Sequence, residues 1–170
     1  EVPTGTRCIL GGHLACSLVS LLAPRATVRL LVLSLHGVGR GSLLPLVSYW
    51  LFAPILANPA MGLLMLFFSA WAALTYLPRL EREHGTVRFL AWFVASSTAT
   101  GVVYLLLVFL LAAIMPDFAM APCVGLWPPL IAAMTQSALS EPQGSSSALF
   151  GIVQVSTRWY ALVLIAVFSL

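Results

Sequence analysis

The side chains able to do chemistry are few and widely spaced in this sequence. Three thiols, Cys8, Cys16 and Cys123, lie in or beside apolar stretches with no CxxC spacing. They read as buried free thiols rather than metal ligands or disulfide partners, so no metal is expected. Of the imidazoles, His13 falls within an apolar run, where a bond to a neighbouring carbonyl or a place facing other helices is the ordinary arrangement. His84 stands among charges and reads as solvated. No Asp, Glu or Arg sits clearly in the middle of an apolar run, which argues against ion coupling. One further sequence, Gly125-Leu126-Trp127-Pro128-Pro129, has the form of a helix entrance. Proline fits the first helical positions, where its missing N–H costs nothing, so a turn at Gly125 and Leu126 should lead into a helix from Trp127 or Pro128.

The elements that position these groups are apolar spans. Of the 170 residues 61% are hydrophobic and 8% charged, with a mean hydropathy of +1.02. A soluble domain has roughly 45–50% apolar and 25% charged residues, so this is the composition of an integral membrane protein. The formal charge of +3, carried by eight arginines and no lysine, is too small and scattered for a nucleic-acid surface. A first span is expected over about Cys8–Ala23, ending at Pro24-Arg25; it is short for a hydrocarbon core of about 30 Å. The Pro24-Arg25 exit is a poor signal-peptidase site, so no cleavable leader is expected. A long connection, Arg25–Asn58, follows. It contains the strand-like run Leu30–Leu35 and an apolar piece, Leu43–Ala57, broken by Pro45 and Pro54. That piece reads as a membrane-embedded loop with Tyr49 and Trp50 as interfacial anchors.

The second span is expected over Pro59–Leu77. Its exit, Pro78–Arg88, is the most charged segment and reads as a tight, solvated connection, each charge taken singly being wet. There Gly85 suits a left-handed helix cap and Thr86 the cap of the next helix. The third span, Val87–Met115, has the small-residue pairs Ala95/Ala99 and Ser97/Gly101, which would let another helix approach closely. Pro116-Asp117 turns the chain into the apolar stretch Ala119–Leu139, about one bilayer crossing long. Ser140–Ser147 reads as a polar loop, Leu149–Val155 as weakly apolar, and Ala161–Leu170 as the opening of a fifth span behind Arg158-Trp159-Tyr160. With five spans, Arg7, Arg79, Arg82, Arg88 and Arg158 share a side, against Arg25, Arg29 and Arg40; the bias favours a cytosolic N-terminus.

The sequence resembles the rhomboid family. Leu80-Glu81-Arg82-Glu83-His84-Gly85-Thr86 with Arg88-Phe89-Leu90 looks like the Glu-x-x-x-Gly-ser/thr-x-arg/lys connection after the second rhomboid span. Gly125-Leu126-Trp127 falls where rhomboid proteases have the Gly-x-Ser of their nucleophile motif. Leu35-His36-Gly37-Val38, the proline-containing entry to the fourth span and a Ser-x-Thr-Arg-Trp-Tyr-like lead into the fifth are similar to one subgroup. These are the rhomboid-like (derlin-related) pseudoproteases that carry a C-terminal ubiquitin-associated domain, with the related subunit of the Golgi transmembrane ubiquitin ligase.

The resemblance implies an all-α polytopic bundle of the rhomboid type with five spans over residues 1–170, and a sixth span and ubiquitin-associated domain beyond them. It implies structural roles for Glu81, Gly85 and Arg88. It also implies that the catalytic positions are degenerate. Trp127, followed by Pro128 and preceded by Gly125, stands in the nucleophile's place; Met65 and Ser69 stand where a His and an Asn would support the oxyanion. An indole offers no nucleophile and a thioether donates no hydrogen bond. Ser137 is ten positions along the helix, about 15 Å from Trp127. Trp127 is then a plug of the former cavity or an ordinary interfacial anchor. The expected function is non-enzymatic and without cofactor: an adaptor in the membrane of the endoplasmic reticulum or Golgi, binding transmembrane clients and ubiquitin-ligase subunits for protein quality control. An active intramembrane serine protease with an unorthodox nucleophile, and a small transporter or lipid-handling protein, are the alternatives.

Overall fold

A computed structural model describes residues 1–55, 58–140, 146–149, 153–156 and 159. Three helices are long and apolar enough to cross a membrane: α1 (Thr4–Leu22), α5 (Pro59–His84) and α6 (Thr86–Ala112). With 19, 26 and 27 residues they are about 28, 39 and 40 Å long, against a hydrocarbon core of about 30 Å. They suit an integral membrane protein. Their outward faces are rich in exposed Leu, Val, Phe and Met, as surfaces that meet lipid are.

Between α1 and α5 the chain makes short helices instead of a span: α2 (Pro24–Leu31), α3 (Leu35–Gly39), α4 (Pro45–Ser48) and a 3-10 turn, Tyr49–Leu51. The strand-like run Leu30–Leu35 is therefore corrected. Pro24 at the first helical position starts α2, which takes the run as far as Leu31, and only Leu33 pairs in extended form, with Cys123. This segment packs on α6. Gly101 makes room, because a Cβ there would stand 3.2 Å from Leu33 and 3.3 Å from Tyr49. The Tyr49 hydroxyl donates to the Ser97 carbonyl at 3.0 Å, and Trp50 meets Phe93 edge-on at 5.1 Å. So the partner admitted by Ser97 and Gly101 is the first loop.

Helix α5 begins at Asn58, whose side chain accepts from the Met61 N–H, with Pro59 next. It does not stop at Leu77. It runs through Pro78 to His84, so the expected connection Pro78–Arg88 is mostly helix and its one non-helical residue is Gly85, at φ +78°. Thr86 is the first residue of α6 and does not cap it. The last long element, α7 (Trp127–Leu139), starts where the prolines predict. At 13 residues, about 20 Å, it is too short to cross on its own; the preceding residues form a 3-10 turn, Pro116–Met120, and an extended approach. Helix α7 nonetheless lies at the centre, packed on α5 and α6. Leu126, Leu130, Ala133 and Met134 join Ala72, Ala73, Leu77, Phe89 and Phe93 in the main core.

Ser146–Leu149 and Val153–Ser156 form an antiparallel hairpin, β1 and β2, with Ser146 opposite Ser156 and Leu149 opposite Val153. It lies where a polar loop and a weakly apolar run were expected. The anticipated fifth span, Ala161–Leu170, lies outside the described residues, as do Arg158 and Tyr160.

Candidate functional site

Of the positions singled out in the sequence, Met65, Trp127 and Pro128 meet along the seam between α5 and α7. Gly125 has φ +94°, a left-handed conformation that favours glycine, and its N–H donates to the Tyr49 carbonyl at 3.0 Å. The turn delivers Trp127 to the first position of α7, half-buried, with Pro128 beside it. Trp127, Pro128 and Ile131 of α7 and Val124 face Met61, Leu64, Met65 and Phe68 of α5 across a groove of about 410 Å³. Its walls are nearly all apolar, and the groove opens on the outer surface of the bundle.

Ser69, one turn beyond Met65, turns instead toward α1. Its Oγ donates to the Leu66 carbonyl at 3.0 Å and stands 3.4 Å from His13 Nε2. His13 Nδ1 is 2.8 Å from the Trp50 carbonyl, which makes it the donor and leaves Nε2 as acceptor. Both side chains are 1% exposed. The expectation for His13, a carbonyl partner inside the bundle, matches this geometry; its proximity to Ser69 was not foreseen, because 56 residues separate the two. Ser17, one turn further along α1, donates to the His13 carbonyl at 2.7 Å and accepts from the Ala53 N–H at 3.1 Å. One stripe of α1 thus ties the first loop and α5 together.

Glu81 differs from the solvated charge expected: it is 2% exposed. Its Oε1 accepts from the Gly5 N–H at 2.7 Å and the Thr86 hydroxyl at 2.8 Å. Its Oε2 accepts from the Thr6 N–H at 2.7 Å and the Thr6 hydroxyl at 2.9 Å. Gly5 and Thr6 are in the first turn of α1, whose free N–H groups and positive dipole end favour an anion. One carboxylate therefore joins the start of α1, the end of α5 and the start of α6. Gly85, between the last two, donates its N–H to the Glu81 carbonyl. Arg88 is exposed on α6.

Of the other candidates, the Ser137 hydroxyl on α7 is buried with no hydrogen-bond partner among the described residues. Cys123 is buried beside Leu33 and Tyr49. Cys8 is exposed and Cys16 half-buried, so the expectation of burial holds for Cys123 alone. No group of three or more His, Cys, Asp or Glu with metal-binding placement occurs among the described residues.

The arrangement offers three things: an apolar groove lined in part by an indole, a Ser–His contact sealed inside the bundle, and a carboxylate whose acceptor capacity is filled by structural donors. No family model matches the chain, and neither a curated protein nor a solved structure matches it.

Proposed function

We propose that the chain is the membrane domain of a non-catalytic, rhomboid-like adaptor. It would act in the endoplasmic reticulum or Golgi membrane, presenting transmembrane clients to ubiquitin-ligase subunits. The observation that carries the reading is the seam itself: the positions that the resemblance assigns to nucleophile and oxyanion support, Trp127 and Met65, face each other across an apolar groove. Trp127 has no nucleophile to attack a carbonyl, and Met65 has no donor for an oxyanion. What remains is a helical scaffold with an apolar opening toward lipid, which suits holding a transmembrane segment rather than cleaving it. The five-span topology belongs to this reading. The test is membrane-protein turnover in cells with and without the full-length protein. A set of transmembrane proteins should become longer-lived on its loss, and proteasome inhibition should erase the difference. Unchanged lifetimes would remove the adaptor reading.

One observation favours a second reading, an intramembrane serine hydrolase. Ser69 Oγ and His13 Nε2 are 3.4 Å apart, and the Trp50 carbonyl orients the imidazole from its other side. This is the skeleton of an activated serine. Against it, both groups are sealed from the groove and the hydroxyl is already bonded to Leu66. Labelling by a fluorophosphonate that disappears in Ser69→Ala would establish the hydrolase; absence of labelling leaves the pair as packing.

A further inference from the structure

At the opposite end of the bundle from Glu81, the first loop folds into a second concavity. It lies between the end of α2 and the turn after α3, with a volume of about 610 Å³, and Arg29, Val32, Ser34, His36, Arg40 and Ser42 line it. Both arginines are exposed, and neither makes an ion pair or hydrogen bond among the described residues. Arg25 lies one turn before Arg29 on the same face of α2. Asp117, on the 3-10 turn that packs against α3, is the one carboxylate at this end among the described residues, and it pairs with none of the three arginines. Like charges that share a concavity without a counterion repel one another, and an anion relieves that. Two guanidinium forks, an imidazole N–H and two hydroxyls are the donors that phosphate oxygens take.

The rim separates a lipid headgroup from a soluble phosphate. Val28 lines the cup and is exposed, as are Leu30 of α2 and Leu43, Leu44 and Val47, which follow the lining residue Ser42 in the chain. Helix α2 is amphipathic, with its cationic face beside these apolar side chains, as in helices that lie in a bilayer interface. A cationic cup with exposed apolar side chains nearby in the chain fits a ligand with a phosphate at one end and acyl chains at the other.

The geometry points to a binding site for the phosphate headgroup of an anionic phospholipid, formed by Arg29 and Arg40 with His36, Ser34 and Ser42. This site is independent of the groove at Trp127 and of the adaptor reading. The Arg pair provides charge and bidentate donors, the hydroxyls accept or donate at the floor, and the exposed leucines and valines keep the acyl chains beside the loop.

The test uses the full-length protein in detergent micelles, titrated with short-chain phosphatidic acid and, separately, with phosphatidylcholine of the same chain length. The phosphatidic acid should bind and the phosphatidylcholine should bind at least about tenfold more weakly, as befits loss of one charge-assisted contact. The double substitution Arg29→Gln/Arg40→Gln should weaken phosphatidic acid binding by at least about tenfold, while Arg29→Lys/Arg40→Lys restores part of it. The helical circular dichroism spectrum should be unchanged in both. Equal affinity for the two lipids, or an unaltered affinity in the Gln variant, overturns the site. Glycerol 3-phosphate supplies the soluble arm. If it displaces the lipid at the lipid's own concentration, the ligand is a free phosphate ester and the lipid assignment fails.

Discussion

The two ends of the bundle handle charge in opposite ways. At the end where α1 begins, a carboxylate is buried and every oxygen has two donors: Glu81 with Gly5, Thr6 and Thr86. Nearby, Arg79 pairs with Glu83 at 3.1 Å and Arg82 donates to the Glu1 carbonyl at 2.9 Å. At the other end, Arg29 and Arg40 line an open cup with Arg25 one helical turn away, and none of the three has a carboxylate partner among the described residues. A buried ion is tolerable only when its hydrogen-bonding capacity is filled, so the first end is finished as structure. An exposed cation can remain unpaired at little cost to the fold, so the second end is left available for a ligand. The difference separates charge that holds the protein together from charge that can recognise something else.

The strongest way to break this comparison is to remove Glu81. Glu81→Ala leaves the Gly5 and Thr6 N–H groups buried without acceptors, and each such orphan costs about 1–3 kcal/mol. The expected loss of stability is on the order of 4 kcal/mol, read as a lowered unfolding midpoint in detergent or nanodiscs. Glu81→Gln should cost roughly half as much: it keeps one acceptor oxygen but turns an amide N–H toward groups that themselves donate. If both variants unfold as the wild type does, the carboxylate is not the anchor that its bonds suggest. Next in size is Gly62→Ala, near the start of α5. A Cβ there would stand 2.5 Å from Ile55 Cα and 3.0 Å from the Pro54 carbonyl, backbone that cannot swing aside. Overpacking of that kind should cost about 2 kcal/mol, measured in the same way.

How much of this was legible in the sequence follows from the range of each signal. Local chemistry was legible: Pro128 and Pro129 marked the start of α7, and Gly85 marked the break between α5 and α6. The third apolar run became α6 with ends close to those expected. The second ran past its expected end because Pro78 read as a stop, while the helix continues through it into an i,i+4 ion pair between Arg79 and Glu83. Hydropathy alone made Ala119–Leu139 look like one crossing; the residues before Trp127 are held extended by the Leu33–Cys123 and Tyr49–Gly125 bonds, which are long-range and leave no local trace. The same holds for Glu81. Its motif was visible, but its burial was not, since the donors Gly5 and Thr6 lie 76 and 75 residues earlier. The hairpin was missed because each strand is only four residues long and the first, Ser-Ser-Ala-Leu, continues a serine run that reads as a loop.

A smaller effect sharpens the contrast from within the core. Ser69→Ala removes a hydroxyl bonded mainly to its own helix, at Leu66, and only loosely to His13. The free energy of unfolding, read from the midpoint, should fall by less than about 1 kcal/mol. A larger loss would mean that the Ser–His contact is a strong bond and not a by-product of packing.

The smallest expected effect is the most discriminating. Arg29→Gln/Arg40→Gln should leave the melting temperature unchanged, because the two guanidinium groups are exposed and bonded to nothing among the described residues. Any gain at low salt from relief of their mutual repulsion should vanish on adding salt. In lipid vesicles the sign should depend on the headgroup. With phosphatidic acid present the wild type gains stability from the bound ligand and the variant does not, by the ordinary linkage of binding to folding. A variant that loses stability in plain detergent would show that these arginines, like Glu81, belong to the framework, and the two ends of the molecule would then be alike.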